Sequence, residues 1–283
     1  MTYVLIDIGG TKTRVATSVD LEKLDTTTSF QTINDFKEGT KLLTATIKAE
    51  LGSQKVSGFA VGVRGLLNET KTGIENDAVL TEWAKHSIVA LLEKHFHVPV
   101  LLENDTALAG LGEAWYGAGK EVDIMVYHTI STGVGGVKIE QGVIDMASAG
   151  FEPGHQVLDI DRTILGADIT PTLENLVSGS GVEARFGMKP YEIPQSDTVW
   201  DELAEYLAQG LRNTILYWSP EMIVLGGSMI IGDPRIPLEA IRKYTVEVLD
   251  GFVPCPFITT AKLGDEAGLY GAMALLKQRQ EGE

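Results

Sequence analysis

The chain has 283 residues, 44% hydrophobic and 22% charged, as in a globular protein of one large domain or two smaller ones. Its 23 Lys and Arg against 39 Asp and Glu give a formal net charge of −16, and no segment is rich in cations. Clustered cations drive binding to nucleic acids and to anionic membranes, so the charge excludes both classes of partner.

Membrane insertion and disulfide bonding are excluded as well. The most apolar run, Met222–Ile231, contains two glycines and a serine. It falls short of the roughly 18 residues that a membrane span requires. The amino terminus lacks the basic segment of a signal peptide, and Cys255 is the sole cysteine. We therefore expect a cytoplasmic protein with no intrachain disulfide and no thiolate zinc cluster.

Hydrophobic periodicity predicts strands and helices that alternate along the chain. In the first part we expect strands at Tyr3–Ile8, Arg14–Val19, Val56–Val63 and Val98–Leu102, with helices at Asp35–Leu51, Ser87–Phe96 and Asp105–Tyr116. In the second part we expect strands at Asp123–Thr129, Val134–Glu140, Met222–Leu225 and Phe257–Ala261, with helices at Asp197–Trp218, Leu238–Leu249 and Glu266–Gln278. Such alternation predicts an α/β fold.

A turn rich in Gly and Thr joins two predicted strands near residue 9, and a similar turn recurs near residue 132. Two halves that each open with such a hairpin suggest a duplicated fold. Small-molecule sites prefer the clefts between domains. The sequence therefore predicts two α/β domains with an interdomain cleft.

The two turns have the chemistry of a phosphate clamp. In Asp7–Thr13, a carboxylate ends a buried strand, glycines expose backbone N–H groups, and Thr11 adds a hydroxyl. This pattern suits a phosphate cradle with Asp7 facing Mg²⁺ through water. A tight hairpin whose glycines only supply positive φ explains the same motif. Because Ser131–Gly136 repeats the pattern at the matching place, the pair favours phosphate binding.

Two further motifs follow buried strands. Asp105 stands at a predicted helix start, where it suits a general base that takes a proton from an attacking hydroxyl. N-capping by Asn104 or Asp105 is the alternative, and position alone favours it. Gly226 and Gly227 follow the strand at 222–225 and would admit a base or ribose. An ordinary strand-to-helix turn explains this glycine pair equally well.

The loop Glu152-Pro153-Gly154-His155 carries a carboxylate and an imidazole, which make charge-assisted hydrogen bonds to vicinal hydroxyls. Taken alone, this short motif is more typical of a polar surface loop. No Cys or second His lies near His155, so a metal site there is disfavoured.

In this order, the motifs resemble those of the ROK family (repressors, open reading frames and sugar kinases) within the actin-like, hexokinase-type ATPase fold, a duplicated ribonuclease H-like architecture. The matching segments are Asp7–Thr11 and Ser131–Gly136 for phosphate, Glu103–Glu113 for catalysis, Glu152–His155 for sugar and Ile223–Gly227 for adenosine.

The resemblance implies an ATP- and Mg²⁺-dependent, glucokinase-like enzyme that phosphorylates a hexose at its 6-hydroxyl, with Asp105 as general base. The residues that would bind the sugar are Gly65, Asn104, Glu152, His155 and Glu174. Those that would hold the phosphates are Gly9, Gly10, Thr11, Lys12, Thr132 and Gly133. Gly226 and Gly227 would flank the nucleoside, and Asp7 would face Mg²⁺ through water. The resemblance also implies a small domain of residues 1–113 plus 266–283, a large domain of residues 114–265, and assembly as a homodimer.

Two departures from the family pattern matter. The stretch 161–173 lacks the cysteines of the family's zinc motif, so we expect no structural zinc. Arg64 replaces the Pro of the family's Gly-x-Pro-Gly loop, which leaves the sugar open between glucose, the default, and N-acetylmannosamine or a β-glucoside.

Other classes of protein fit less well. A repressor would need a winged helix-turn-helix before Asp7, and we expect no room for one. A non-catalytic sugar sensor is the alternative of a different class, and Asp105 argues against it because a sensor has no use for a base.

Overall fold

A computed structural model of the chain describes residues 2–147 and 150–282. The strands are β1 (Thr2–Ile8), β2 (Lys12–Ser18), β3 (Thr26–Gln31), β4 (Val56–Val63), β5 (Leu66–Leu67), β6 (Ile74–Asn76), β7 (Val100–Asn104), β8 (Ile124–Ile130), β9 (Val134–Glu140), β10 (Val143–Ile144), β11 (Met222–Gly226) and β12 (Phe257–Thr260). The α-helices are α1 (Phe36–Leu51), α2 (Ile88–Phe96), α3 (Asp105–Tyr116), α4 (Leu173–Val177), α5 (Gly179–Phe186), α6 (Val199–Trp218), α7 (Ser228–Ile231), α8 (Leu238–Leu249) and α9 (Ala267–Glu281).

The chain divides into two compact units. Unit 1 comprises Met1–Tyr116, Met146–Gly150 and Asp265–Glu283, and unit 2 comprises Gly117–Asp145 and Phe151–Gly264. Among residues 2–147 and 150–282, no helix combines the length and hydrophobicity that crossing a membrane requires.

The two units contain sheets of the same topology. The strand order is β3-β2-β1-β4-β7 in unit 1 and β10-β9-β8-β11-β12 in unit 2. In each sheet three strands form an antiparallel meander, and two further strands run parallel to the first strand of the unit. This repetition confirms the duplicated α/β fold that the two similar turns predicted.

Helices α3 and α9 pack against each other and against β4 in unit 1. Their backbones approach closely where glycines remove the side chain. A Cβ atom on Gly271 of α9 would overlap the carbonyl oxygen of Leu108 in α3. A Cβ atom on Gly112 would likewise overlap the carbonyl oxygen of Ala267. The glycines therefore fix the spacing of this helix pair, which supports α3 behind the strand ends.

The core of unit 2 includes a buried imidazole. His128 on β8 is 0% exposed, its Nε2 atom lies 3.1 Å from the Thr214 hydroxyl of α6, and its ring stacks on Trp218. Burial lowers the pKa of His128 from 6.5 to about 4, because the charged imidazolium loses its hydration. The histidine is therefore neutral in the folded protein at neutral pH.

Because His128 is buried and neutral, we expect the folded protein to lose stability as the pH falls. Between pH 6.5 and about 4, the unfolded chain binds a proton at His128 that the folded chain does not, so the free energy of unfolding falls as the pH falls. We expect the free energy of unfolding, measured by urea titration, to fall more for the wild-type protein than for His128→Gln across this window, by at most about 3 kcal/mol. His95→Gln, at an exposed position on α2, is the control. Equal pH profiles for wild type and His128→Gln would contradict the assignment.

Candidate active site

The predicted site residues of unit 1 lie at the carboxyl ends of β1, β4 and β7. These strands are parallel, and the register pairs Ile8 with Val63 and Val63 with Asn104. Because parallel strands end at the same edge of a sheet, the turn after β1, the loop after β4 and the start of α3 lie together. The structure thus gathers the sequence-predicted residues of this unit into one group.

The turn between β1 and β2 presents free backbone donors. Its geometry is fixed by a hydrogen bond from the Gly9 N–H to the Lys12 carbonyl (3.0 Å) and by the Thr32 hydroxyl, which donates to the Gly9 carbonyl (2.8 Å). Within the described part of the chain, the N–H groups of Gly10 and Thr11 donate to no acceptor. Lys12 is exposed beside them. Such a turn can bind an anion through its backbone.

Asp7 lies on β1 just before this turn, and its surroundings destabilise the charged form of its carboxylate. Burial raises its pKa, the nearby Asp105 raises it further, and Arg14 partly offsets both, so that the pKa is about 7. The Arg14 guanidinium lies 3.4 Å from Asp7 and 2.7 Å from Asp265. A divalent cation would relieve the repulsion between the carboxylates. Since Mg²⁺ binds through one or two carboxylates and keeps several waters, Asp7 fits the predicted role.

At the start of α3, Asn104 and Asp105 have different tasks. The Asn104 side-chain oxygen accepts the Ala107 N–H (3.1 Å), which is the N-cap interaction. The Asn104 amide group donates to the Gly65 carbonyl (3.2 Å). Asp105 Oδ1 accepts the Thr106 N–H (2.8 Å), and Oδ2 has no hydrogen-bond partner among the described residues. Asn104 therefore caps the helix and leaves one oxygen of Asp105 available.

The surroundings of Asp105 shift its proton affinity in opposite directions. Burial raises the pKa of the carboxyl, while the Thr106 N–H and the Arg64 guanidinium lower it and Asp77 raises it. Burial is the largest of these effects. A carboxylate with raised proton affinity and one free oxygen is suited to accept a proton.

In unit 2 the turn between β8 and β9 resembles its counterpart in unit 1. The Ser131 N–H donates to the Gly133 carbonyl (2.9 Å), and the Gly179 N–H, from α5, donates to the Ser131 carbonyl (2.7 Å). The N–H groups of Thr132 and Gly133 have no acceptor in the described ranges. This turn, too, offers two backbone donors to an anion.

Glu174 on α4 lies directly against this turn. Its Oε2 atom accepts the Val134 N–H (2.8 Å) and lies 2.6 Å from the position that a Cβ atom on Gly133 would occupy. A side chain at residue 133 would displace this carboxylate from the turn. One oxygen of Glu174 is engaged by the turn, and its role toward a sugar stays a prediction.

The loop with Glu152 and His155 packs on the beginning of β9. Residues Pro153–His155 form one turn of 3₁₀-helix, and a Cβ atom on Gly154 would overlap the Val134 carbonyl. Both Glu152 and His155 are exposed. The glycine thus holds this loop close to the turn at 131–133, with its two polar side chains on the surface of unit 2.

Gly226 and Gly227 lie beside the same turn. A Cβ atom on Gly226 would overlap the Tyr127 hydroxyl, and one on Gly227, where φ is +87°, would overlap the Ile130 carbonyl. Close packing on β8 therefore explains both glycines, and their role toward a nucleoside stays a prediction. The Ser131 and Ser228 hydroxyls are 3.1 Å apart, which joins this motif to the phosphate turn.

Sequence reasoning missed the charged partners in unit 1. It singled out Arg64 but not Asp77, which binds the Arg64 guanidinium at 2.7 Å, and it passed over Arg14 and Asp265. These pairs are separated by 13 and 251 positions, so no local pattern links them. Within 2–147 and 150–282, no group of three or more His, Cys, Asp or Glu side chains is arranged to hold a metal ion. The absence of zinc stays a prediction.

Comparison with known proteins gives a consistent result over the whole chain. The sequence profile of the ROK family matches residues 3–279. The chain is 28% identical to a fructokinase from Streptococcus mutans, over 98% of this chain and 97% of that protein. It is 26% identical to a glucokinase from Halalkalibacterium halodurans, over 98% and 96%. A ROK hexokinase structure from Thermus thermophilus matches with a TM-score of 0.81 and 25% identity, over 99% of this chain and 100% of that chain.

Proposed function

The chain belongs to the ROK family and is a sugar kinase, and we propose that it transfers the γ-phosphoryl group of ATP to the 6-hydroxyl of a hexose. Membership confirms the resemblance that the ordered motifs indicated, and the repeated sheets agree with the actin-like fold of the family. The proposal rests chiefly on the different hydrogen bonds that Asn104 and Asp105 make at the start of α3. Asn104 caps the helix, and Asp105 keeps a free carboxylate oxygen.

Asp105 acts as the general base in this proposal. Its free oxygen takes the proton of the 6-hydroxyl while the hydroxyl oxygen bonds to the γ-phosphorus. The bond from that phosphorus to the bridging oxygen breaks, and ADP leaves with the electron pair. The alcohol becomes acidic only as it bonds to phosphorus, so a carboxylate is basic enough.

The other site residues of unit 1 are assigned to the phosphates of ATP and to Mg²⁺. The free N–H groups of Gly10 and Thr11, with Gly9 and the exposed Lys12, bind phosphate oxygens. Asp7 would hold Mg²⁺ through water, and the ion would neutralise charge on the phosphates.

Unit 2 contributes the second phosphate turn and the contacts to sugar and nucleoside. Thr132 and Gly133 offer their N–H groups to phosphate, and the glycine pair at 226–227 flanks the nucleoside. The residues assigned to the sugar hydroxyls are Gly65, Asn104, Glu152, His155 and Glu174. Within unit 2, Glu174, the loop at 152–155 and the glycine pair all pack around the turn at 131–133, which supports their assignment to a common task.

The relatives bring fructose beside glucose as a candidate hexose. Glucose is the default that the motifs suggested, whereas the relatives with matching length include a fructokinase and a glucokinase. Both sugars carry a 6-hydroxyl, so the proposed chemistry is the same for either. A cytoplasmic location, which the sequence led us to expect, and a homodimer, which the family resemblance implies, complete the proposal.

A coupled assay of ATP consumption with Mg²⁺ tests the proposal. The panel contains glucose, fructose, mannose, N-acetylglucosamine, N-acetylmannosamine, cellobiose and gentiobiose. We expect one hexose to be turned over well above the rest. No turnover with any sugar, together with sugar binding in calorimetry, would contradict the kinase and support a sugar sensor.

A further inference from the structure

Arg64 is fixed between the first phosphate turn and the proposed base. Its backbone N–H donates to the Ile8 carbonyl (3.1 Å), which places the residue beside the end of β1. Its Nη1 atom lies 2.5 Å from the position that a Cβ atom on Gly10 would occupy. The same guanidinium is among the charges that act on Asp105. A cation therefore lies close to both the phosphate turn and the proposed base.

One edge of the Arg64 guanidinium is held and the other is free. Nε lies within 3.0 and 2.7 Å of the two carboxylate oxygens of Asp77. Asp77 is itself anchored, since its side chain is 1% exposed and Oδ1 accepts the Val79 N–H (2.9 Å). The four N–H bonds on Nη1 and Nη2 reach no acceptor among the residues described, and the Arg64 side chain is 31% exposed.

A structural ion pair alone accounts poorly for this arrangement. An arginine that served only to bind Asp77 would give the carboxylate two parallel hydrogen bonds, either from Nη1 and Nη2 or from Nε and one Nη. Here the carboxylate occupies Nε, and the fork is left for another partner. The nearest groups around it include the phosphate turn and the proposed base, and a planar fork of this kind matches the oxygens of a phosphoryl group.

We propose that Arg64 forms an anion subsite that binds the phosphoryl group during transfer and the 6-phosphate of the product, with Asp77 as its positioning residue. The inference rests on the proposed function and adds Arg64 to the residues that carry it out. Arg64 touches the phosphoryl oxygens, and Gly10 is required because a side chain there would displace the guanidinium. The subsite distinguishes phosphorylated from free hexose.

Binding measurements on Arg64→Gln test the subsite directly. Calorimetry is carried out on the full chain with orthophosphate, and with fructose, glucose and their 6-phosphates. We expect the variant to bind orthophosphate and the 6-phosphate of the preferred hexose at least about tenfold more weakly, the scale of a lost charge-assisted hydrogen bond. Binding of the free hexose should change less than about twofold. Arg242→Gln on α8 removes the same charge elsewhere and should match wild type.

Asp77→Asn separates positioning from charge. It keeps the Arg64 cation but weakens its anchor, so we expect phosphate binding between that of wild type and Arg64→Gln, with unchanged hexose binding. Unchanged binding of orthophosphate and hexose 6-phosphate by Arg64→Gln would overturn the subsite, whatever the activity. If the proposed function is wrong, the wild-type protein phosphorylates no sugar. The anion subsite can still be tested in that case, because orthophosphate binding does not require kinase activity. Equal orthophosphate binding by wild type and Arg64→Gln would then overturn the inference.

Discussion

Replacing Asp105 by Asn is expected to lower the turnover number at least roughly a hundredfold, which is the usual scale of a lost general base. The amide has the shape of the carboxylate and can still accept the Thr106 N–H, so α3 should begin unchanged. It cannot take a proton from a hydroxyl. Sugar affinity, measured by calorimetry, should stay within about twofold of wild type, because the change removes proton acceptance rather than a binding contact.

Asp35→Asn provides the matched control for this variant. Asp35 is the N-cap of α1, where its Oδ1 atom accepts the Glu38 N–H (2.8 Å), and Asn caps a helix as well as Asp does. The same chemical change at a helix start outside the site should leave turnover unaltered. If Asp105→Asn keeps most of its turnover, Asp105 is not the base. If it loses sugar binding as well, Asp105 contributes to binding the sugar and the loss of turnover does not identify it as the base.

The second large effect is expected from Gly271→Ala. In a helix with free space, Ala stabilises relative to Gly by about 1 kcal/mol. At Gly271 the sign should reverse, because the new methyl group would overlap the Leu108 carbonyl and push α9 away from α3. We expect a loss of about 3 kcal/mol or more in the free energy of unfolding. That corresponds to a fall of roughly 6–12 °C in Tm, measured by differential scanning calorimetry.

Gly58→Ala on β4 is the control for this prediction. The nearest atoms to a Cβ atom there are the Pro99 carbonyl oxygen at 3.6 Å and a Leu276 methyl at 3.7 Å, which is ordinary contact. We expect its Tm to stay close to that of wild type. A Gly271→Ala protein as stable as Gly58→Ala would show that the two helices do not depend on a glycine at their crossing.

Secondary structure was predictable where apolar periodicity was strong. The structure confirms β4, α3, β9 and α8 with the bounds that the sequence gave. β7 begins and ends two residues later than predicted, because pairing with β4 carries the strand on to Asn104. The strand β3 was missed. Its sequence, TTTSFQ, is almost wholly polar, and only the backbone ladder with β2 defines it.

The motifs of the candidate site were predictable from the sequence, but the hydrogen bonds and ion pairs between its residues were not. Glycines and hydroxyls at strand ends predicted the two turns, and the repetition of the pattern in the second half favoured phosphate binding over an ordinary tight hairpin. Sequence position alone favoured a cap at the start of α3, and the structure shows which residue takes that role, Asn104, and which keeps a free oxygen, Asp105. The Arg64–Asp77 pair depends on how the loops after β4 and β6 fold back, which no periodicity encodes.

Phosphorus-31 NMR of a reaction with ATP, Mg²⁺ and the preferred hexose tests the central claim most directly. The claim is that a hexose accepts the γ-phosphoryl group of ATP at its 6-hydroxyl. We expect the γ-phosphate signal of ATP to fall while one phosphomonoester signal rises at the same rate, coupled to the two protons on C6 of the sugar. Loss of the γ-phosphate signal into inorganic phosphate alone, or a phosphomonoester coupled to a proton elsewhere on the sugar, would contradict it.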